Sequence, residues 1–326
     1  MAFLTGWTYR KPITLSRASG AVTNYQMKVL VGESSGATGE DVDCGGLCKT
    51  DFSDLRFTTS DGTTLLDYYI EAVSGTTPNQ LASVWIEFDS IGTGATTFYM
   101  YYGNAGASAV SSGANTFLFF DDFSGSLSAW ENLGQTWSIV SGKLRGSCAA
   151  STEGMLITAS QVAPTDNYAV DAAVNAQYGL SANNYQSGLV INDTKVLATK
   201  GKGYWLDLTG YNKWAILDEV GGLDLSAADA AFNAQSVHQY SFRKNGTAHA
   251  LYVDDALKVS HTYSWPTAPQ YVGCSIAYDA NYAEYDNFRV RNFQTTEPAW
   301  GSWGGQETES GIIVPVLFSQ YRRRWS

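Results

Sequence analysis

Short runs that alternate apolar and polar side chains recur along this chain. In Ser83-Val84-Trp85-Ile86-Glu87-Phe88, the residues Val84, Ile86 and Phe88 fall on one side and Trp85 on the other. That period of two is the pattern of a half-buried strand. Similar strand-like runs occupy residues 11–16, 26–31, 54–58, 66–72 and 96–102, and later 168–174, 187–191, 237–244, 248–253, 271–277 and 285–291. Asp61-Gly62 and Gly103-Asn104 mark tight turns, and Asn245-Gly246 marks a hairpin. Many short strands with this punctuation build sandwiches and jelly rolls rather than alternating β/α units. Residues 224–234, rich in Ala, are read as the best helix candidate.

Composition supports an all-β chain. The 10 Trp, 20 Tyr and 14 Phe are residues that pack well on a pleated surface. At roughly 100–200 residues per domain, 326 residues suffice for two domains or three. A formal net charge of −11 argues against nucleic acid, whose binding requires neutralised phosphates. No stretch approaches the ~20 apolar residues of a membrane helix. Met1–Trp7 has no basic region followed by an apolar run, so the expectation is synthesis in a cytoplasm without the usual export. Cys44 and Cys48 bracket a Gly-rich loop; free thiols, a small disulfide and a metal site are all open readings. Cys148 and Cys274 are candidates for neighbours across a sheet.

The expected organisation is a β-sandwich over 1–103, a Ser/Gly/Ala-rich linker over 104–115, a jelly roll over 116–294 and an extended tail over 295–326. Trp300-Gly-Ser-Trp303-Gly-Gly reads as a flexible aromatic segment. The apolar run Ile312, Ile313, Val314, Val316, Leu317 and Phe318 and the end Tyr321, Arg322, Arg323, Arg324 and Trp325 have two main readings. They form either a last strand of the same fold or a strand added to a neighbouring copy's sheet.

The first part resembles the DUF2341 family. The residues that carry this are Trp7-Thr-Tyr9-Arg10-Lys11-Pro12-Ile13, Asp54-Leu-Arg56-Phe57-Thr58, Leu66-Asp-Tyr68-Tyr69-Ile70-Glu71, Ser83-Val84-Trp85-Ile86 and Tyr99-Met-Tyr101-Tyr102-Gly103-Asn104. The resemblance implies a β-sandwich module and no catalytic set. The second part resembles laminin-G/concanavalin-A-like jelly rolls through Phe120-Asp121-Asp122-Phe123, Trp137-Ser-Ile139, Ser187-Gly188-Leu189-Val190 and Tyr285-Asp286-Asn287-Phe288-Arg289-Val290. The pairing of two such modules implies a bacteriophage structural protein or a prokaryotic surface protein.

Candidate sites follow from these readings. Asp121, Asp122, Asp286 and Asn287 would meet if the jelly roll's first and last strands pair, and such an oxygen set suits calcium. The competing reading has the carboxylates accepting backbone N–H bonds at a strand corner. Tyr178, Asn183, Asn184, Tyr185, Tyr211 and Trp214 are candidates for a glycan site, where rings stack on sugar faces and amides meet hydroxyls. A retaining glycosidase needs two carboxylates about 5–5.5 Å apart. Glu284-Tyr-Asp286 matches only part of that pattern, and His238, His249 and His261 lie outside any hydrolase motif. Arg10 with Glu71 and Arg56 with Asp54 are read as fold-stabilising pairs. The expectation is a non-enzymatic phage virion protein, in capsid decoration or a tail or fibre. Its partners would be other virion proteins, its own copies or host surface glycans. The alternatives are a carbohydrate-binding module of a cell-surface protein and a glycoside hydrolase.

Overall fold

The computed structural model describes residues 2–36, 39–148, 152–177, 186–192, 195, 202–207, 213–218, 223–228, 235–262, 269–277 and 282–309. The first module contains β1 (Tyr9–Ser16), β2 (Val22–Gly32), β3 (Val42–Asp43), β4 (Arg56–Thr58), β5 (Leu65–Leu66), β6 (Tyr68–Ser74), β7 (Leu81–Ile91) and β8 (Thr96–Tyr102). A helical turn, α1 (Gly113–Thr116), leads to the second module. That module contains β9 (Phe119–Asp121), β10 (Trp130–Leu133), β11 (Thr136–Val140), β12 (Lys143–Ser147), β13 (Glu153–Thr158), β14 (Tyr168–Gln177), β15 (Gln186–Asn192) and β16 (Lys202–Asp207). It continues with β17 (Lys213–Asp218), β18 (Leu223–Ala228), β19 (His238–Asn245), β20 (Ala248–Val253), β21 (Ala256–Thr262), β22 (Tyr271–Ala277) and β23 (Tyr282–Asn292). Two strands follow, β24 (Ala299–Trp303) and β25 (Glu307–Thr308).

The protein is all-β, as its alternation predicts. In the first module the sheet β3-β2-β7-β6 faces the sheet β24-β1-β8-β4-β5. Leu15, Val29, Val31, Val84, Phe88 and Met100 belong to its core. In the second, β10-β13-β22-β15-β16-β17-β18 faces β11-β12-β23-β14-β19-β20-β21, the jelly-roll arrangement. Leu156, Val170, Leu189, Phe242, Ile276 and Phe288 belong to that core. The Asn245-Gly246 hairpin joins β19 to β20, with Asn245 opposite Ala248.

Several expectations change. Residues 223–228 are strand β18, paired along their length with β17, so the helix read over 224–234 is not formed there. Ladder bonds outweigh the small helix preference of Ala. Trp300–Trp303 is likewise no flexible segment. It is β24, with Trp303 opposite Ile13 and Trp300 opposite Leu15, and both indoles pack on the first core. The segment 104–115 is tied to the first module by bonds donated from Lys49 Nζ to Ala107 O, from Arg56 Nη2 to Ser108 O and from Ile70 N to Ser111 Oγ. Arg10 pairs with Glu307 at 2.7 Å rather than with Glu71. Arg56 donates to the carbonyls of Ser53, Leu55 and Ser108. Asp54 accepts from the backbone of Lys49, Gly103 and Asn104 instead of from Arg56. All four cysteines are free thiols. The Cys44 thiol is pushed up by its bond with Cys48 and by burial.

Candidate functional site

Strand β7 shows why the two modules form one unit. Its alternation puts Val84 and Ile86 in the core and turns Trp85 outward, yet Trp85 is only 8% exposed. The second module covers it. Lys28 on β2 and Tyr69 on β6 stand opposite Trp85 and share its face. Across from them the outer face of β14 and β23 presents Asp171, Arg289 and Arg291. The Arg289 and Arg291 guanidiniums lie 4.7 and 5.3 Å from the Trp85 ring centre.

The charges in this interface are paired. Glu71 Oε2 accepts from Lys28 Nζ at 2.8 Å, Trp85 Nε1 at 3.2 Å and Ser83 Oγ at 3.2 Å, and Oε1 accepts from Arg289. Asp171 Oδ2 accepts from Arg291 Nε at 2.7 Å and Arg289 Nε at 3.4 Å. Burial pushes the Glu71 carboxyl up, but Arg289 and Lys28 more than offset this and hold it at about 2. Burial likewise pushes Asp171 up, and Arg291 and Arg289 bring it below the ordinary range. Polar bonds continue along the seam, from Asn292 N to Gln26 Oε1 at 3.0 Å, Gln294 N to Tyr25 Oη at 3.1 Å and Tyr69 Oη to Asn287 Oδ1 at 2.7 Å.

Beside this seam the two modules leave a cleft of about 330 Å³. Lys28, Arg243, Asp255, Glu297 and Trp300 are among its lining residues. Arg243 meets Asp255 at 3.2 Å and lies 4.0 Å over the Tyr252 ring. Glu297 meets Arg291 at 3.4 Å. The Trp300 indole donates to Lys28 O at 3.0 Å and stacks on Trp303. Cations and carboxylates balance pair by pair, so the cleft offers donors and acceptors with little net charge. That chemistry suits a neutral, hydroxyl-rich molecule. The volume falls at the lower end of small-ligand sites, which run from about 300 to 1,000 Å³.

The residues singled out in the sequence have other fates. β9 does pair with β23, with Asp121 opposite Phe288, so the first and last strands of the jelly roll meet. Yet Asp121 accepts from Phe123 N at 2.7 Å and Trp130 Nε1 at 2.6 Å. Asp122 accepts from Ser124, Asp286 from Asn287 N, and Asn287 Oδ1 from Tyr69. These oxygens face N–H and O–H donors, which fits strand corners and does not fit a calcium cage. Among the described residues, no group of three or more His, Cys, Asp and Glu is placed to hold a metal ion. Trp214 is 1% exposed and packs edge-on against Tyr240, so it is a core residue and no sugar platform. Tyr178, Asn183, Asn184, Tyr185 and Tyr211 lie outside the described residues, as do Ile312 to Trp325. Glu284 is bound to Arg145 at 2.6 Å, and the adjoining cavity of about 30 Å³ holds roughly one water. The cleft residues Lys28, Arg243, Asp255, Glu297 and Trp300 were missed in the sequence. They come from three distant stretches of chain, and no local spacing marks them.

Comparison with known proteins finds one family model and several solved structures to which parts of the chain are similar. Residues 51–140 match the model of the family described as a domain of unknown function, DUF2341. That span begins within the first module and runs past α1 to the end of β11. No curated protein matches the chain. Similar solved structures include the carbohydrate-binding module CBM66 from Bacillus subtilis, at 14% identity and a TM-score of 0.40, covering 50% of this chain and 96% of that one. Another is a β-glucanase from Bacillus licheniformis, at 15% identity and a TM-score of 0.40, covering 53% of this chain and 97% of that one. A third is a protein of unknown function with a galectin-like fold from Bacillus subtilis, at 10% and 0.43, covering 54% and 96%.

Proposed function

We propose that this protein is an adhesion protein, without glycosidase activity, that binds glycans in the cleft between its two modules. The observation that carries the reading is the lining of that cleft, where Arg243–Asp255 and Arg291–Glu297 pairs stand beside the Trp300 indole. Paired charges exchange hydrogen bonds with hydroxyls without demanding a charged ligand, and an indole offers a face or edge to a sugar ring. Binding without glycosidic cleavage agrees with Glu284, whose carboxylate is committed to Arg145. The proposed setting is a bacteriophage particle, in capsid decoration or a tail or fibre. The resemblance of the two modules supports that setting.

The test is a glycan array followed by titration calorimetry on the full chain. The expected result is saturable, EDTA-insensitive binding of a neutral oligosaccharide. Arg243→Gln and Asp255→Asn should each weaken it by about tenfold, or 1.4 kcal/mol. Binding that is unchanged in both variants would move the site elsewhere, and an array with no hits would sink the reading. Mass spectrometry of purified particles tests the setting. Assembly through the end of the chain is tested by light-scattering mass of the full chain beside one ending at Glu309, which keeps β25 intact. Equal monomer masses would remove the assembly role.

A further inference from the structure

Ser236, His238 and Asp254 form a hydrogen-bonded line at the start of β19. His238 Nδ1 lies 2.5 Å from Asp254 Oδ2, and His238 Nε2 lies 2.8 Å from Ser236 Oγ. An ionised carboxylate only accepts, so Nδ1 carries the proton toward Asp254. In the neutral ring Nε2 is then the acceptor, and the Ser236 hydroxyl donates to it. This is the order of groups by which a carboxylate orients an imidazole and the imidazole activates a serine. Sequence gave no hint of it, because Ser236 and His238 are two residues apart and Asp254 arrives from the next hairpin.

The fold fixes the carboxylate from several sides. Asp254 and Asp255 are the two turn residues between β20 and β21, at φ 49° and 60°, with Val253 opposite Ala256. Both positive φ values belong to a two-residue hairpin turn that favours Asn, Asp and Gly. Asp254 N donates to Gln239 O at 2.9 Å, and Gln239 N donates back to Asp254 Oδ1 at 2.9 Å. That leaves Oδ2 aimed at the imidazole. The His238 side chain is 17% exposed and that of Asp254 is 52% exposed, so the group is open to small molecules. The neighbouring Gln239 and Asp255 line the interdomain cleft.

We infer that Ser236 is an activated nucleophile that accepts an acyl group from small, exposed esters. Ser236 Oγ attacks the ester carbonyl carbon while its proton passes to His238 Nε2. The carbonyl carbon–alkoxy oxygen bond then breaks, and the leaving alcohol takes that proton. Water, giving a proton to the same nitrogen, attacks the acyl-serine and releases the acid, which restores the hydroxyl. Ester and water become acid and alcohol, and no oxidant or metal is required. This chemistry goes beyond the adhesive reading and does not depend on the cleft binding a glycan.

The experiment is reaction of the full chain with a fluorophosphonate probe and with p-nitrophenyl acetate, followed by peptide mass mapping. The expected result is modification at Ser236, at least ~10-fold faster than in His238→Ala, since a positioned general base typically contributes 10²–10⁴-fold. Asp254→Asn preserves a residue tolerant of the turn while removing the charge behind the imidazole, and should also slow labelling. Thermal melts of both variants that match the parent show that the fold is intact. Labelling of Ser236 at equal rates in the parent and His238→Ala would overturn the inference. So would modification of other serines with Ser236 untouched. Glycan titration of the same samples reads the cleft separately, so either proposal can fail alone.

Discussion

In the second module, β9 comes from that module's own beginning and pairs with β23. In the first module, the edge of β1 is covered by β24 and β25, and Arg10 finds its carboxylate 297 positions further along the chain. The chain thus starts one sandwich, builds a jelly roll and returns to finish the sandwich. One module is closed by strands from its own two ends, the other only after both are present. The charged seam under Trp85 then joins two sheets whose outer faces would otherwise be wetted. An uncovered β1 edge would be an open template for another strand.

Removing the returning strands tests this contrast most severely. A chain ending at Pro298 loses two part-buried indoles and the Arg10–Glu307 pair. At 1.5–3 kcal/mol per large apolar side chain, the first module should lose about 3–6 kcal/mol. Urea unfolding followed by circular dichroism should then split into two transitions, with the second module melting later. A single unshifted transition would mean that β24 and β25 do not close the sandwich.

Arg291→Ala addresses the seam. It leaves the buried Asp171 carboxylate short of its 2.7 Å donor, and breaking such a pair costs about 3–5 kcal/mol. The loss should appear in the urea midpoint, together with faster hydrogen exchange along β14 and β2. Exchange that rises in one module alone would show that the seam does not couple them.

pH distinguishes two carboxylates of the first module. Burial, then Asp67 and Asp89, push the Glu87 carboxyl up from 4.5 to about 7. Its ionisation costs more in the folded state, so stability falls as pH rises from about 4.5 to 7. Glu71 acts in the opposite sense. Its folded value of about 2 lies below its usual 4.5, so its contribution is full above 4.5 and is lost as pH falls towards 2. Glu87→Gln should therefore stabilise the protein at pH 8 by on the order of 1 kcal/mol after allowance for solvent screening. At pH 4 the difference should vanish. A gain equal at both pH values would point to packing rather than charge. The smallest effect is expected from Glu284→Gln, which weakens a half-open pair with Arg145 by about 1 kcal/mol or less. It should leave glycan affinity unchanged, and a tenfold affinity loss would place the binding site on that strand.

Much of this protein was legible as pattern. The alternation of Val84, Ile86 and Phe88 predicted the core face of β7, and Asn245-Gly246 predicted the β19–β20 hairpin. The meeting of β9 and β23 was expected, although the carboxylates there serve strand corners. Trp214 read as a ring for a sugar because a single aromatic looks the same in a core and on a rim. The Ala-rich segment read as helix because local preference carries no information about a waiting strand edge.

The sequence by itself determined the class of the fold, since a period of two with frequent turns has few compact solutions other than layered sheets. Tertiary structure decided what each outward-facing residue does. Trp85 points away from its own core by sequence and is buried by another module. Glu71 and Arg289 are charged residues of distant strands that become partners only when two sheets dock. Ser236, His238 and Asp254 align because a hairpin folds back on β19. A local pattern records which face a side chain occupies. What meets that face is set by contacts between residues far apart in the chain, and local spacing does not encode them.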